Sequence, residues 1–144
     1  MEVCILKTLD NESLAQIDSL LHKLSPTAPT VNPHRLAKLL EDADFHLFVA
    51  KDEKNRISGM LTLTACQTIS RPKYWIEDVI VDELCRGKGV GRALVNAAVK
   101  FVTELDFTCD IYLTSNPSRV AARALYQSEG FEEYKTGVFR IKGI

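Results

Sequence analysis

The sequence has little of anything extreme, and each shortage excludes a class. Lys and Arg number 18 and Asp and Glu 19, leaving a net charge of −1. Nucleic-acid or membrane binding driven by overall charge is therefore not expected. No apolar run approaches membrane-spanning length. Seven glycines and five prolines are too few for a collagen-like or low-complexity chain. The four cysteines, Cys4, Cys66, Cys85 and Cys109, include no CxxC pair and no histidine at ligand spacing, so neither a metal site nor a disulfide framework is expected. Three of them lie in strand-like stretches, where a free Cys packs as a small hydrophobe. Cys85 has no partner in sequence that would make it a nucleophile. The start, Met1-Glu2, has no basic stretch ahead of an apolar one, so the expected location is the cytoplasm. What remains is 144 residues, 46% apolar and 26% charged: one ordinary domain, long enough to bury its own core.

Residues 2–8 read as a strand. Asp10 or Asn11 is placed to cap a helix to about Leu24, with Leu14, Ile17, Leu21 and Leu24 on one face. Ser25 to Pro33 carries three of the five prolines and reads as a loop. Pro33 opens a second helix, with Leu36, Leu39, Leu40 and Ala43 inward. Phe45–Lys51 and Arg56–Cys66 flank a polar turn as a hairpin, and Tyr74–Val81 is an apolar strand interrupted by Glu77-Asp78. Val90 to Leu105 turns helical, with Leu94, Val95, Ala98, Phe101, Val102 and Leu105 on one side. Asp110–Thr114 is a strand, and Ser118 or Asn116 caps a helix that Gly130 stops. Glu132–Thr136 and Val138–Lys142 read as two closing strands. The order β-α-α-β-β-β-α-β-α-β-β, without linker or repeat, predicts one α/β domain over 1–144. Its sheet is mixed, its helices lie on both faces, and residues 74–114 form a right-handed parallel crossover.

One feature is uneven. Gly87, Gly89 and Gly91 fall within five residues, between a strand and a helix. Backbone N–H groups at such a helix start, stripped of side chains, make an anion site, and Lys88 and Arg92 add positive charge. The expected guest is a phosphate or pyrophosphate. The P-loop pattern GxxxxGK[ST] is absent, and the G-x-G-x-G spacing misses the dinucleotide pattern GxGxxG by one residue. Asp110 lies at a tempting distance for a ribose contact, but it starts a strand rather than ending one.

The segment does resemble another motif. Arg86-Gly87-Lys88-Gly89-Val90-Gly91, five residues after Val81, is similar to the [R/Q]-x-x-G-x-[G/A] acetyl-CoA pyrophosphate loop of the GNAT superfamily of N-acetyltransferases. Asp78-Val79-Ile80-Val81 resembles the strand that precedes that loop, and Asn116 stands where the family often places an Asn near the CoA arm. Tyr126-Gln127-Ser128-Glu129-Gly130-Phe131 resembles the family's Tyr-x-x-x-Gly-Phe helix ending. The element order agrees, so a GNAT-like fold is expected.

The resemblance implies that the pantetheine arm of acetyl-CoA pairs with the backbone of Val79, Ile80 and Val81, between splayed strands. It implies that the diphosphate sits on the N–H groups from Gly87 through Arg92, beside Arg86. A backbone N–H near Ile80 would polarise the thioester. Tyr126, whose unperturbed phenol pKa is about 10, would protonate the departing thiolate. Acetyl would pass directly to a primary amine in a ternary complex, without a covalent enzyme intermediate and without a metal. The base is less defined. The glutamate of the histone-acetylating branch, six residues before Val81, is Trp75 here. Glu77 and Asp78 are the remaining carboxylates, and on a regular strand they face opposite sides unless a bulge resets the alternation.

His22, His34 and His46 are scattered and read as ordinary surface or core residues. Arg119 and Arg123, one helical turn apart, read as a solvated pair or as contacts to the 3′-phosphate of CoA. Ser25 to Arg35 and Gln67 to Tyr74 fall where the family builds its acceptor pocket. The acceptor is expected to be a small amine, with a peptide or protein amine as the alternative, and a homodimer is compatible with the resemblance. Two other classes stay open at this stage: a non-catalytic acyl-CoA sensor, and a loop for another phosphate ligand such as a nucleotide.

Overall fold

A computed structural model describes residues 1–143; Ile144, the last residue of the expected domain, lies outside the described residues. The chain divides into two compact units, residues 1–114 and residues from 115 onward.

The first unit contains β1 (Glu2–Ile5), α1 (Asn11–Leu24), α2 (Pro33–Glu41), β2 (Phe45–Lys51), β3 (Ile57–Cys66), β4 (Lys73–Val81), α3 (Val90–Thr103) and β5 (Ile111–Leu113). The strands make one sheet in the order β1-β2-β3-β4-β5. Every pairing is antiparallel except β4 with β5, which is parallel and closes the expected crossover through α3.

Alternation along the strands sorts side chains onto two faces. Leu47 and Val49 point one way and build a core with Ile17 and Leu20 of α1, Leu36 of α2, Met60 and Ile80. His46 and Phe48 point the other way, onto Phe101 of α3, with ring centroids 4.4 and 6.1 Å away. Leu94, Val95, Ala98 and Val102 bury the inner side of α3. Helices thus cover both faces, as the sequence predicts. Asp10, not Asn11, caps α1: its carboxylate accepts the Ser13 N–H at 2.7 Å. That bond holds its pKa below the ordinary value.

Several boundaries differ from expectation. β1 ends at Ile5, and α2 ends at Glu41, leaving Ala43 exposed outside it. α3 ends at Thr103, short of Leu105. Cys66 is exposed at the end of β3 rather than packed as a core residue. No helix among the described residues is long and apolar enough to cross a membrane.

The second unit holds α4 (Val120–Ser128), which starts after Arg119 without a side-chain cap. Asn116 and Ser118 do not cap it; the Asn116 carboxamide oxygen instead accepts the Ser118 N–H at 2.9 Å, in a turn. The two closing strands expected at Glu132–Thr136 and Val138–Lys142 are not formed, and residues 131–143 carry no regular structure. Their strand-like pattern has no ladder partner among the described residues, and Val138, Phe139 and Ile141 stay exposed. Alternating residues without a paired edge do not hold a strand.

Gly59 of β3 is closely packed. A Cβ there would stand 2.9 Å from Val90 Cγ1, 3.1 Å from the Ile80 carbonyl oxygen and 3.2 Å from Leu94 Cδ1. Gly59→Ala is therefore expected to cost about 1–3 kcal/mol, as overpacking does. A thermal melt checks this, with a lowered midpoint as the expected outcome.

Candidate functional site

Three structural elements meet at the C-terminal end of β4. The first is the glycine loop. After β4, Glu83–Cys85 makes one 3₁₀ turn, capped by Asp82, whose carboxylate accepts the Leu84 N–H at 3.1 Å and an ion pair from Lys23 at 3.3 Å. The Leu84 amide, seconded by Lys23, holds the Asp82 carboxyl below its usual range. Gly87 and Gly89 then take φ of 75° and 80°, a left-handed conformation that side chains disfavour. A Cβ at either would meet no atom within 4 Å, so these glycines answer to backbone shape and open approach rather than to packing. Gly89 caps α3 without a side chain, so the first-turn N–H groups of Val90, Gly91 and Arg92 point out of the helix end. Val90 itself is buried, while Arg86, Lys88 and Arg92 are exposed around the loop.

The second element is a free strand edge. β5 pairs with β4 only at Tyr74, Trp75 and Ile76. From Glu77 to Val81, β4 is paired with β3 alone among the described residues. The Asp82 N–H donates to the Ser58 carbonyl at 2.8 Å, and Met60 lies opposite Ile80, so the backbone groups of Ile80 and Asp82 turn toward β3. Backbone groups alternate along a strand, so those of Val79 and Val81 turn to the open edge. Ile80 contributes instead through its side chain, buried in the core beneath α1 and α2.

The third element is a β-bulge. The register passes from Met60↔Ile80 to Thr62↔Glu77, so Asp78 and Val79 together oppose Leu61. Asp78 sits at φ 51°. The bulge cancels the alternation that would separate the two carboxylates. Glu77 lies directly opposite Thr62, and Asp78 accepts a hydrogen bond from the Thr62 hydroxyl at 3.3 Å. Both acids therefore gather on the face covered by α1 and α2. Both side chains are exposed to solvent; incomplete desolvation against the sheet, then the neighbouring Asp78 charge, still pushes the Glu77 carboxyl above its ordinary pKa. Beside them Trp75 stacks on Tyr112 of β5 at 5.0 Å, and Lys73 lies over the Tyr112 ring at 5.8 Å. From sequence, Thr62 reads only as one of the alternating polar residues of a strand, and Tyr112 is not marked at all. For Thr62 the sequence signal is the Glu-Asp pair inside an apolar strand, which marks a break in alternation; Tyr112 carries none.

In the second unit, Tyr126 lies on α4 with its ring packed edge-on to Phe131, centroids 6.1 Å apart. The Gly130 N–H donates to the Gln127 carbonyl at 3.1 Å and the Phe131 N–H to the Tyr126 carbonyl at 3.0 Å, with Gly130 at φ 96°. This is a Schellman helix end, complete with its apolar contact. The Tyr-x-x-x-Gly-Phe pattern is thus a helix stop that also fixes the tyrosine. Desolvation raises the Tyr126 phenol, against an opposing pull from Arg119, and the ring arrives protonated at neutral pH. Asn116 is exposed, its side-chain oxygen engaged in the turn before α4.

Cys109 is partly buried, with its thiol pushed up first by desolvation and then by Asp110, which makes it a poor nucleophile. Among the described residues, no three His, Cys, Asp or Glu side chains gather as a metal-holding group.

The family model described as "Acetyltransferase (GNAT) family" matches residues 14–131. The mycothiol acetyltransferase of Propionibacterium freudenreichii subsp. shermanii is 32% identical over 93 residues, 64% of this chain and 29% of that protein. The spermine/spermidine N(1)-acetyltransferase of Bacillus subtilis is 32% identical over 60 residues, 42% of this chain and 40% of that protein. The chain thus spans less than half the length of these curated relatives. An aminoglycoside acetyltransferase from an uncultured soil metagenomic sample shares the fold, with a TM-score of 0.85 at 24% identity over 99% of this chain and 95% of that one.

The loop geometry makes a specific prediction. Gly89→Ala meets no steric neighbour, so its cost is conformational, about 1–2 kcal/mol. A lowered melting temperature in a thermal melt, with no change in the packing of the loop, is the expected outcome.

Proposed function

The chain belongs to the acetyltransferase (GNAT) family, and on that premise we propose that it moves acetyl from acetyl-CoA onto a primary amine by direct attack. We infer that residues 1–144 act as one acetyltransferase domain, because the family match runs across the boundary at residue 114. One observation carries the reading: the open edge of β4 runs, within six residues of Val81, into a glycine loop that leads a helix with no side-chain cap. An extended arm ending in a diphosphate fits such a site, with backbone for the arm and helix N–H groups for the anion.

The roles follow from the donors present. Val79 and Val81 offer backbone hydrogen bonds to the pantetheine arm, and one of their N–H groups polarises the thioester carbonyl. The Ile80 amide, turned toward β3, leaves that task to its neighbours. The amides from Gly87 through Arg92, with Arg86 and Lys88, hold the diphosphate. Asn116, in the turn before α4, is assigned to the CoA arm by the family resemblance. Glu77 or Asp78 takes a proton from the acceptor ammonium. The freed nitrogen attacks the acyl carbon, the C–N bond forms and the C–S bond breaks; Tyr126 gives its phenolic proton to the departing sulfur, and the extra proton left on the nitrogen returns to the phenolate, leaving the amide and the free thiol. The acceptor is a small amine, a reading supported by the polyamine named for the Bacillus relative.

Two measurements test this. Acetyl-CoA should raise the melting temperature, while ATP and NAD should not; stabilisation by the nucleotides alone overturns the reading. With an amine panel followed by thiol release, Tyr126→Phe should lower kcat by about 10²-fold or more and leave the acetyl-CoA dissociation constant nearly unchanged. Phenylalanine keeps the ring that packs on Phe131, so an unchanged kcat removes Tyr126 from the acid role.

A further inference from the structure

The two carboxylates at the bulge are not equivalent. Glu77 stands in register with Thr62, whereas Asp78 is held at positive φ with its carboxylate on the Thr62 hydroxyl. Thr62 is 6% exposed, so this hydroxyl is a buried, fixed donor in the middle of β3. We propose that Thr62 and Asp78 are a positioning pair for Glu77: Thr62 anchors the Asp78 carboxylate beside that of Glu77, and Asp78 acts on the reaction through Glu77 rather than on the amine. Glu77 is then the group that accepts the ammonium proton, leaving a neutral amine and a neutral carboxyl. This rests on the acetyltransferase reading above.

The surroundings of Glu77 support the assignment. The facing positions of β3, Thr62 and Thr64, carry no charge. On β5 the Tyr112 hydroxyl donates to Asp110. On α1, Glu12 accepts from Gln16, His22 pairs with Asp18, and Lys23 pairs with Asp82. Lys73 lies over Tyr112. Desolvation is the first cause of the raised Glu77 carboxyl, and Asp78 is the charge that adds to it. Its presence favours the protonated form of Glu77, in the direction found for that carboxyl. A raised carboxyl is a better proton acceptor when ionised, and it loses its function as pH falls through the raised value.

The test is the acidic limb of the kcat/KM–pH profile, read beside the Glu77 carboxyl titration followed by ¹³C NMR in the free protein. Asn adopts positive φ readily, so Asp78→Asn should keep the bulge. It should move both the limb and the Glu77 titration to lower pH, and lower turnover less than Glu77→Gln does. Glu77→Gln should cost about 10²–10⁴-fold in kcat and erase the limb. Thr62→Val should shift the limb in the same direction as Asp78→Asn, and Thr62→Ser should restore it. The proposal is overturned if Asp78→Asn leaves the Glu77 titration in place, if Glu77→Gln keeps the limb, or if Thr62→Val and Thr62→Ser behave alike. The NMR titration needs no turnover. A wild-type protein that acetylates no amine therefore fails the acetyltransferase reading separately from the positioning pair.

Discussion

The site depends on one extra residue in β4. Because Asp78 and Val79 together face Leu61, the alternation of the strand is reset in the middle of the sheet. Before the reset, Ile76 is buried on the α3 side and Glu77 lies on the face of α1 and α2. After it, Ile80 joins the core on that same face, although it stands three residues from Glu77. The parallel pairing with β5 has already stopped at Ile76. The bulge therefore gathers two carboxylates on one face just where the strand gives up its second neighbour, and the core fixes the position through Ile80. A bulge held only by solvent-exposed residues could slip; one with a buried leucine opposite and a buried isoleucine after it has its register set by packing.

The far end of the same strand is fixed by absence of bulk. Gly59 lets Val90 and Leu94 approach the sheet to van der Waals contact, and Val90 is the first residue of α3. The helix start is set against the sheet beside the last residue of β4, since Gly59 pairs with Val81. Asp82 then ties the turn between them to the end of α1 through Lys23. That ion pair is partly exposed and contributes little to stability, on the order of a few tenths of a kcal/mol. Its use is geometric, since it joins the glycine loop to the helix that leads into the Ser25–Asn32 segment.

What could be read from the sequence was what local chemistry decides. Asp10 before an amphipathic run, Pro33 at a helix start and Gly130 at a helix stop each satisfy their own backbone neighbourhood, and the structure places helix ends there. The glycine loop was legible for the same reason, since positive φ at Gly87 and Gly89 is a local demand. The bulge was not, because its register depends on β3, far away in sequence. Glu77-Asp78 inside an apolar strand raised the question of a bulge without answering it. The closing strands failed on the same ground. Val138, Phe139 and Ile141 have a strand's composition, but a strand exists only through its partner's backbone, and none pairs with them among the described residues.

The net charge of −1 acquires a meaning from this arrangement. The proposed reaction joins an ammonium to a molecule that carries phosphates, and a uniform field of either sign would draw one and repel the other. The chain instead sorts its charge along a single strand and the turn that follows. Glu77 and Asp78 stand at the bulge, and Arg86, Lys88 and Arg92 surround the glycine loop. Physiological salt screens exposed charges beyond about 8 Å, so each group acts mainly on the molecule that reaches it. Between the two lie Val79, Ile80 and Val81, with no charge, where the acyl carbon would sit. In the proposed reaction, proton removal at one end and anion binding at the other would have an apolar strand between them, and neither would need the protein as a whole to be acidic or basic.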